Sequence, residues 1–493
     1  MKVSRCCFRR VCVVAGLAGG LSIVALLSSA ASASSSGDAP GRVQSAYGAA
    51  ALASGGAWRT AEEVPGTGVL NAGGMAIAGQ LSCASAGNCG AGGFYTDSAG
   101  HRQAFVVNEV SGIWRTAEEV PGSAALNTGG DASTGPVSCA AAGNCAAGGQ
   151  YTDSSGRGQA FVVNEVSGIW RTAEEVPGSA ALNTGGDAFT DAVSCASAGN
   201  CSAGGCYGSS GHFQAFVVNE VSGIWRTAEE VPGIASLNTG DAFTGSVSCA
   251  SAGNCAAGGS YTDSSGNSQA FVASETSGTW GKAKEVPGTA ALNTGGGAAV
   301  ESVSCASAGN CAAGGFYTDS SGHDQAFVVN EVSGIWRPAE EVPGTATITN
   351  SVSCASPGNC SAGGVYIDSS RNGQAFVVNE VSGIWRTATE VPGTPTLNKG
   401  GRAQVLSVSC TSAGNCSAGG LYTDSSALQQ AFVVNEVSGI WRTAKEVPGT
   451  ATLNTGGDAA VESVSCAAAS SCSAAGGYFD SSRHLQVFVV NKS

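Results

Sequence analysis

The sequence predicts an all-β fold, an eight-bladed β-propeller, from three observations. A pair of cysteines six residues apart recurs eight times, at intervals of 49 to 56 residues. A tryptophan motif, GIWRTAEEVPG and its variants, also recurs eight times but out of phase with the cysteines. The chain holds 74 glycines and only 12% charged residues, which is typical of short strands and tight turns rather than solvated helices. Repeated four-stranded units of about this length are typical of propeller blades.

The first 33 residues have the pattern of a secretory signal peptide. A basic start, MKVSRCCFRRVC, is followed by the apolar run VVAGLAGGLSIVALLSSA and by Ala31-Ser32-Ala33, a small-residue cleavage site. We expect cleavage after Ala33; a retained membrane anchor is the alternative. Residues 34–56 are expected to form a flexible linker, and residues 57–493 the propeller. The last residues, FVVNKS, contain neither a hydrophobic tail nor a wall-sorting motif, so we expect secretion into the extracellular space.

Each unit contains signals for four strands. In the fifth unit these are SVSCA, CAAGGFYTD, QAFVVNEV and IWRTAEEV, separated by SAGN, SSGH and Ser-Gly and closed by Pro-Gly. The third strand is apolar on both faces, with Phe327 and Val329 on one and Ala326 and Val328 on the other. Such a strand belongs to a sheet that is covered on both sides.

The phase difference between the two motifs predicts how the ring closes. The last unit supplies three strands, SVSCA, SAAGGYFD and QVFVV, and the segment GAWRTAEEVPG near the start supplies only a fourth. Together these pieces make an eighth blade from both ends of the repeat region. A β-solenoid or a string of independent β-domains, the alternatives, would have no reason to split one unit in this way.

The cysteine pairs are predicted to be disulfides across the hairpin between the first and second strands. Zinc and redox motifs use other spacings, and in an exported protein cysteines on facing strands are close enough to bridge. The predicted pairs are Cys83–Cys89, Cys139–Cys145, Cys195–Cys201, Cys249–Cys255, Cys305–Cys311, Cys354–Cys360, Cys410–Cys416 and Cys466–Cys472.

Four cysteines fall outside this pattern. Cys6, Cys7 and Cys12 lie in the predicted signal peptide and would be removed with it. Cys206 stands where sister units have Phe94 or Phe316. We expect it to be a small buried apolar residue; a reactive or intermolecular thiol is the alternative.

The tryptophan and the glutamate pair that follows it each have two interpretations. The tryptophan is expected to pack between neighbouring blades, with a sugar-stacking platform as the alternative. The glutamate pairs look like catalytic acid pairs, but adjacent residues of a strand point to opposite faces and cannot flank one bond. We therefore expect exposed charges that discourage edge-to-edge association. The pairs are Glu118–Glu119, Glu174–Glu175, Glu229–Glu230 and Glu340–Glu341.

The turn between the second and third strands carries the candidate ligand-binding residues. Aspartate and serine favour such turns because they bond nearby backbone N–H groups. The functional alternative is a ring of shallow polar sites, each able to hold a sugar hydroxyl or a weakly bound Ca²⁺. All four histidines occur there, spread around the ring, and we expect no metal centre and no other cofactor. The candidates are Asp97, Asp153, Asp263, Asp319, Asp368, Asp424, Asp480, His101, His212, His323 and His484.

The net charge of the chain and the variation of its loops limit the classes of partner that we expect. Four of the 22 basic residues lie in the signal peptide, which leaves 18 against 36 acidic residues and a net charge of −18 for the secreted chain. This balance argues against nucleic acid and against anionic membranes. The variable segment after Pro-Gly and the aspartate turns are expected on one face of the disc, which favours that face for binding. We expect a monomer that binds a glycan or an extracellular protein.

The pattern Ser-Cys, five residues, Cys-x-Ala-Gly-Gly resembles repeats of exported bacterial β-propeller proteins over residues 58–493. The NEVSGIW turn is distantly similar to the Asp-box of sialidase-like propellers and to the tryptophan motif of quinoprotein dehydrogenases. Glu109 and Trp114 fit the Asp-box, but the glycine comes one place late. The resemblance implies the fold. It does not imply sialidase chemistry, since no arginine cluster and no tyrosine with its acid partner can be placed.

Near-identity of the repeats favours binding over catalysis. An active site is a single asymmetric constellation, whereas eight similar blades offer many equivalent weak sites whose avidity adds up. The sequence therefore predicts a secreted multivalent binding or scaffold protein. The alternative is a glycan-processing enzyme of the sialidase-like or lyase-like propeller kind.

Overall fold

The eight predicted blades are present as eight antiparallel sheets. The computed structural model describes residues 56–344 and 347–493, and within them the sheets surround one axis as an eight-bladed β-propeller. We number the blades by their cysteine pairs, from blade 1 with Cys83 to blade 8 with Cys466. The predicted signal peptide, with Cys6, Cys7 and Cys12, and the predicted linker up to residue 55 lie outside the described residues.

Each blade has three long strands followed by a short, divided fourth one. The innermost first strands are Ala76–Ser85, Ala132–Ala141, Ala188–Ser197, Ala242–Ser251, Ala298–Ser307, Ile348–Ser356, Ala403–Ser412 and Ala459–Ala468. The second strands are Asn88–Thr96, Asn144–Thr152, Asn200–Ser209, Asn254–Thr262, Asn310–Thr318, Asn359–Ile367, Asn415–Thr423 and Ser471–Phe479. The third strands are Arg102–Val110, Gly158–Val166, His212–Val221, Ser268–Thr276, Asp324–Val332, Gly373–Val381, Gln429–Val437 and Leu485–Lys492.

The fourth strand differs from the prediction of one continuous segment, because it consists of two dipeptides that pair separately with the third strand. The first pieces are Ile113–Trp114, Ile169–Trp170, Ile224–Trp225, Thr279–Trp280, Ile335–Trp336, Ile384–Trp385 and Ile440–Trp441. The second pieces are Glu62–Glu63, Glu118–Glu119, Glu174–Glu175, Glu229–Glu230, Lys284–Glu285, Glu340–Glu341, Thr389–Glu390 and Lys445–Glu446.

A bond to the neighbouring blade explains the interruption. Between the two pieces the backbone leaves its own sheet, and the Ala117 N–H donates to the Pro65 carbonyl of the preceding blade at 2.7 Å. The same alanine-to-proline bond joins every pair of neighbouring blades, so it forms a closed outer ring. The strand therefore gives up part of its own ladder to link blades.

A second ring of hydrogen bonds joins the innermost strands. The Cys305 N–H donates to Ser248 Oγ of the preceding blade at 2.9 Å, and the serine before each first cysteine has the same role in all eight blades. The Ser-Cys dipeptide of the repeat thus serves two purposes. Cysteine bridges within the blade, and serine accepts a bond from the next one.

Within the described residues, seven of the eight connections between blades contain a single helical turn, which the sequence reasoning did not predict. Each helix begins after a glycine in the left-handed region, such as Gly122 with φ of 83°. Only glycine adopts this conformation without strain, which explains the Pro-Gly that closes each unit. The helices are Thr67–Leu70, Ser123–Leu126, Ser179–Leu182, Thr289–Leu292, Thr394–Leu397 and Thr450–Leu453, with a 3₁₀ turn at Ile234–Ser236.

The hydrophobic core lies between the blades, as the two-sided third strand predicts. One interface packs Ala104 and Val106 of blade 1 against Val137, Phe161 and Trp170 of blade 2. The third-strand phenylalanines are essentially inaccessible to solvent in all eight blades. Tryptophan packs between blades as expected. In the glutamate pairs of blades 1, 2 and 3, however, only the first member is exposed, and the second is half-buried; Tyr151, for example, donates to Glu175 Oε2 at 2.7 Å. In blade 5 both Glu340 and Glu341 are exposed, as expected.

All eight predicted disulfides are confirmed. The two cysteines of a pair face each other across the first and second strands, with Cα atoms 3.9 to 4.0 Å apart. Cys206 lies on the second strand of blade 3, at the position that Phe94 and Phe316 have in other blades, and is completely buried.

The predicted closure of the ring is also confirmed. Glu62 and Glu63 pair antiparallel with Val489 and Phe488, so the fourth strand of blade 8 comes from the start of the propeller and its other three strands from the end. Trp58 forms an isolated bridge with Lys492, and Ala57 and Ser493 exchange two backbone bonds of 3.0 and 3.1 Å.

We expect the Gly315→Ala substitution to lower the free energy of unfolding by at least ~3 kcal/mol. An added Cβ would lie 1.9 Å from the Ala299 carbonyl oxygen on the facing strand, so the sheet would have to separate. Gly135→Ala is the matched control, because its Cβ would have no heavy atom within 4 Å. Urea unfolding of both variants checks the prediction, and similar midpoints would contradict it.

Candidate ligand-binding clefts

The predicted aspartates hold the turns that they begin. Asp153 Oδ1 accepts bonds from the N–H groups of Ser155 and Arg157 at 2.8 and 3.1 Å, and from Ser155 Oγ at 2.7 Å. Its Oδ2 accepts from Gln159 Nε2 at 2.8 Å. These bonds, above all those from Ser155 and Gln159, lower the pKa of Asp153 to about 2. The same pattern holds at Asp97, Asp263, Asp319, Asp368, Asp424 and Asp480.

The glutamine carries this contact to the connection that leads to the next blade. Gln159 Oε1 accepts from Asn183 Nδ2 at 3.0 Å, and Asn183 follows the helix Ser179–Leu182. The aspartate turn and the connection therefore meet on one face, as expected. Each of these carboxylates already uses both oxygens inside its own blade, and ligand binding at these turns stays a prediction.

The four histidines are exposed and belong to separate blades. His101 and His484 lie against Gly130 and Gly74 of the following connections, where an added Cβ would meet the imidazole rings at 2.3 and 2.7 Å. His212 Nδ1 lies 3.6 Å from Asp241 Oδ1. The imidazoles of His101, His212 and His484 thus lie against the connection to the next blade. Among the described residues, none of the four histidines belongs to a group of three potential metal ligands.

On the opposite face, a polar belt that the sequence reasoning missed crosses every interface between blades. Between blades 1 and 2, Trp170 Nε1 donates to Asn108 Oδ1 at 2.9 Å, and Asn108 Nδ2 donates to Glu165 Oε1 at 2.6 Å. The remaining interfaces use the same positions, with two exceptions. Ser274 replaces the asparagine of blade 4, and Lys492 replaces the glutamate of blade 8. The repeated Asn-Glu dipeptide in an otherwise apolar strand was the signal for this belt.

Burial governs the ionisation of the belt. Each of its seven glutamates is between 2% and 4% exposed, and desolvation raises the pKa of each side chain above its ordinary value, to about 7 for Glu165 and Glu220. The other five are Glu109, Glu275, Glu331, Glu380 and Glu436. Burial also lowers the pKa of Lys492 to about 8. Glu165 and Glu220 therefore change charge close to neutral pH.

The second oxygen of each belt glutamate has one of two environments. Ser361 Oγ of blade 6 donates to Glu436 Oε2 at 3.5 Å, and serines contact Glu109 and Glu275 in the same way. The position of this serine is glycine or alanine in the blades that face the other four glutamates, namely Gly90, Ala146, Ala256 and Ala312. A single residue of the second strand thus decides whether a serine hydroxyl meets the carboxylate.

Clefts open above the belt, between neighbouring blades. The cleft between blades 5 and 6 has a volume of about 370 Å³ and is lined by Glu331, Glu380, Arg337 and the Trp385 ring. The cleft between blades 6 and 7 has a volume of about 280 Å³, with Glu380 and Glu436 in its lining. The larger one falls within the usual range for small-ligand sites, about 300 to 1,000 Å³. Both lie on the face opposite to the aspartate turns.

Exposed basic and aliphatic side chains form the rim of this face. One exposed arginine follows the tryptophan in seven blades, and the eighth has Lys282 one residue later. Across residues 56–344 and 347–493 the ion pairs within 4.0 Å join histidine to aspartate, so these arginines have no carboxylate partner at that distance there. Six isoleucines before the tryptophan are 57% to 60% exposed. The arginines are Arg59, Arg115, Arg171, Arg226, Arg337, Arg386 and Arg442.

The innermost strands carry a second feature that the sequence reasoning missed. Four residues before its first cysteine, each blade has an irregularity in strand register, and here the repeats differ most. Asn350 Nδ2 donates to the Val405 carbonyl of the next blade at 2.8 Å, and burial raises the pKa of Glu462 to about 7. Aligning the repeats on their cysteines would have revealed this position. Its occupants are Gly79, Gly135, Asp191, Gly245, Glu301, Asn350, Leu406 and Glu462.

One group of three potential metal ligands lies within 4.8 Å among the described residues, namely Cys83, Cys89 and Glu109. The two sulfur atoms are bonded to each other, so they are not thiolate ligands. In the same part of the chain no helix has the length and apolar character needed to cross a bilayer.

Comparisons with known proteins find distant structural likenesses. No family model and no curated protein matches the chain. A protein of unknown function from Dyadobacter fermentans is 9% identical with a TM-score of 0.38, covering 89% of this chain and 99% of its own. The Hadza microbial sialidase Hz136 is 12% identical with a TM-score of 0.35, covering 68% of this chain and 73% of its own. A polysaccharide lyase of family PL25, an ulvan lyase, is 9% identical with a TM-score of 0.39, covering 70% of this chain and 89% of its own. Likenesses this distant do not indicate a function for this chain.

Proposed function

We propose that the protein is a secreted, multivalent glycan-binding protein that takes its ligands in the clefts between blades. The observation that carries the proposal is the recurrence of one polar arrangement around the ring: a buried glutamate, the asparagine bonded to it, a tryptophan edge and an exposed arginine. Carboxylates and guanidinium groups accept from and donate to sugar hydroxyls. Eight disulfides fit an oxidising compartment outside the cytoplasm and support secretion.

The repetition of the clefts raises the expected affinity for a polymeric ligand above that of a single cleft. A single cleft of this size offers few contacts, and its affinity for one sugar unit is expected to be low. Several similar clefts on one face engage a polymer together, and the resulting avidity exceeds the single-site affinity by about 10² to 10⁴. A repetitive glycan on a cell surface or in a matrix is a ligand of that kind.

A glycan array printed at two densities tests the proposal. We expect the purified secreted chain to bind glycans at high density and to lose at least tenfold in apparent affinity at low density. A triple variant of the cleft face, R115T/R171T/R226T, should weaken high-density binding by more than tenfold. The control R157T/R371N/K399T removes the same charge from the opposite face and should change binding less than twofold.

The other outcomes are informative. Equal losses in both triple variants would indicate a general charge effect and contradict binding in the clefts. Release of reducing ends from a bound glycan would favour the glycan-processing enzyme. Binding to extracellular proteins but to no glycan at either density would replace the proposed ligand class with a protein.

A further inference from the structure

The cleft between blades 5 and 6 departs from the repeat at two points that face each other. Pro338 stands after the rim arginine, where six of the other blades have threonine and blade 4 has Lys282. Pro357 stands in the turn between the first and second strands of blade 6, where the other seven blades have alanine. The two prolines come from neighbouring blades, and both line the same cleft of about 370 Å³. Two independent departures thus meet at one site.

The prolines change the chemistry of the cleft edges. Each fixes its own backbone and replaces an amide N–H by an apolar ring, so the edges are stiffer and less polar than elsewhere in the ring. With the Trp385 ring, they add apolar surface to a cleft that also contains charged groups. Apolar ring surface beside polar groups suits the C–H face of a pyranose.

The polar floor of this cleft has an available acceptor. Glu380 is 3% exposed, and its Oε1 accepts from Asn330 Nδ2 at 2.5 Å. Its Oε2 has no hydrogen-bond donor among the described residues, because blade 5 has Ala312 where blade 6 has Ser361. In the neighbouring cleft, that serine donates to the corresponding oxygen of Glu436. This oxygen is not among the fully buried polar atoms without a partner, and Glu380 lines the cleft, so a hydroxyl of a ligand in the cleft can donate to it.

We propose that this cleft is a distinct site for a single neutral sugar unit, within the binding function proposed above. A ligand hydroxyl donates to Glu380 Oε2, the Arg337 guanidinium donates to a second ligand oxygen, and the C–H face of the ring packs between Pro338 and Pro357. Glu331, Glu340 and Glu380 line the cleft against one arginine, so a sugar acid would meet excess negative charge. The ligand class is therefore a neutral hexose or N-acetylhexosamine.

Calorimetric titration with methyl β-glycosides of glucose, galactose, mannose and N-acetylglucosamine tests the site. We expect one of them to bind with one site per chain. Glu380→Gln should weaken it at least tenfold, because the amide oxygen is needed by Asn330 and the NH₂ group would then replace the acceptor. Arg337→Ala should have a similar effect. The control R157T removes an exposed arginine from the opposite face and should change affinity less than twofold.

Reversion of the prolines gives a second, milder test. P338T/P357A restores the repeat residues and should weaken binding about threefold to tenfold, with an unchanged unfolding midpoint. If E380Q has a lower unfolding midpoint, its loss of binding could come from a destabilised fold. The affinity of R337A then tests the site, because the Arg337 side chain is exposed and does not support the core.

Three results would overturn this site and leave the proposed multivalent function in place. These are equal losses in the cleft variants and in the R157T control, a stoichiometry well above one, and glycan-array binding without binding of any free glycoside. Tighter binding of methyl β-glucuronide than of the neutral glycosides would overturn the ligand class. Failure of both the array and the titration would overturn the multivalent function as well.

Discussion

Deletion of residues 1–66 is expected to lower the free energy of unfolding by at least ~5 kcal/mol and to produce concentration-dependent oligomers. The deletion removes the fourth strand of blade 8, including the pairing of Glu62 and Glu63 with the last strand. It also removes the Ala61 N–H bond to Pro448, which closes the outer ring, and the buried side chains of Ala61 and Val64. The strand Leu485–Lys492 would then present an unpaired edge to other chains.

Denaturant unfolding and analytical ultracentrifugation check this expectation. A deletion that stops at residue 55 is the control, because it keeps every strand pairing described for blade 8. A synthetic peptide covering residues 56–66 should restore part of the lost stability when added in excess. If the longer deletion unfolds at the same midpoint as the control, the closure contributes little and the ring is held by its other contacts.

The second large effect is a loss of stability as the pH rises from about 5 to 8. Glu165 and Glu220 have a pKa of about 7 in the folded chain, against an ordinary value of 4.5. Below pH 4.5 they are protonated whether the chain is folded or unfolded, and their contribution is fully present. Above it the unfolded chain releases protons that the folded chain still holds, so the free energy of unfolding falls until the pH passes 7.

The size of this effect follows from the shift. One pKa unit corresponds to ~1.4 kcal/mol, and we expect ~1 to 2 kcal/mol per glutamate, since water in the clefts screens the carboxylates. The aspartate turns act in the opposite direction. The pKa of Asp153 is lowered to about 2, so its contribution is present above pH 3.8 and is lost as the pH falls through 2. Maximum stability is therefore expected between about pH 4 and 5.

Urea unfolding at pH 5, 6, 7 and 8 measures how steeply the free energy of unfolding falls with pH. The double variant E165Q/E220Q keeps an acceptor for the asparagines and should reduce the slope, whereas E229Q/E340Q, which removes two exposed carboxylates, should largely keep it. A free energy of unfolding that is constant from pH 5 to 8 would contradict the assignment of the belt as the titrating group.

The repeat made several parts of this molecule predictable because they depend on short-range spacing. Cys305 and Cys311 lie six residues apart around a four-residue turn, and that distance alone places them opposite each other in a hairpin. The two-sided apolar pattern from Ala326 to Val329 requires covered sheets. The offset of Trp58 from Cys83 requires a blade shared between the two ends of the propeller.

The candidate site was predicted less well. The aspartate turns were correctly placed on the face that carries the connections, but their carboxylates are occupied by Gln159 and its equivalents. The belt glutamates were missed because the sequence of a third strand does not show whether its polar side chains face solvent or a neighbouring blade. Glu380 meets Asn330, 50 residues away, only when blade 6 packs on blade 5.

By itself, the sequence determined the number of blades, their disulfides and the way in which the ring closes, because each follows from a period or a spacing along the chain. Tertiary structure alone decided the divided fourth strand, the buried Asn–Glu belt and the clefts above it. These features depend on contacts between one blade and the next, such as the bond from the Ala117 N–H to the Pro65 carbonyl. Near-identical repeats do not reveal which of their polar residues will face water and which will face another blade.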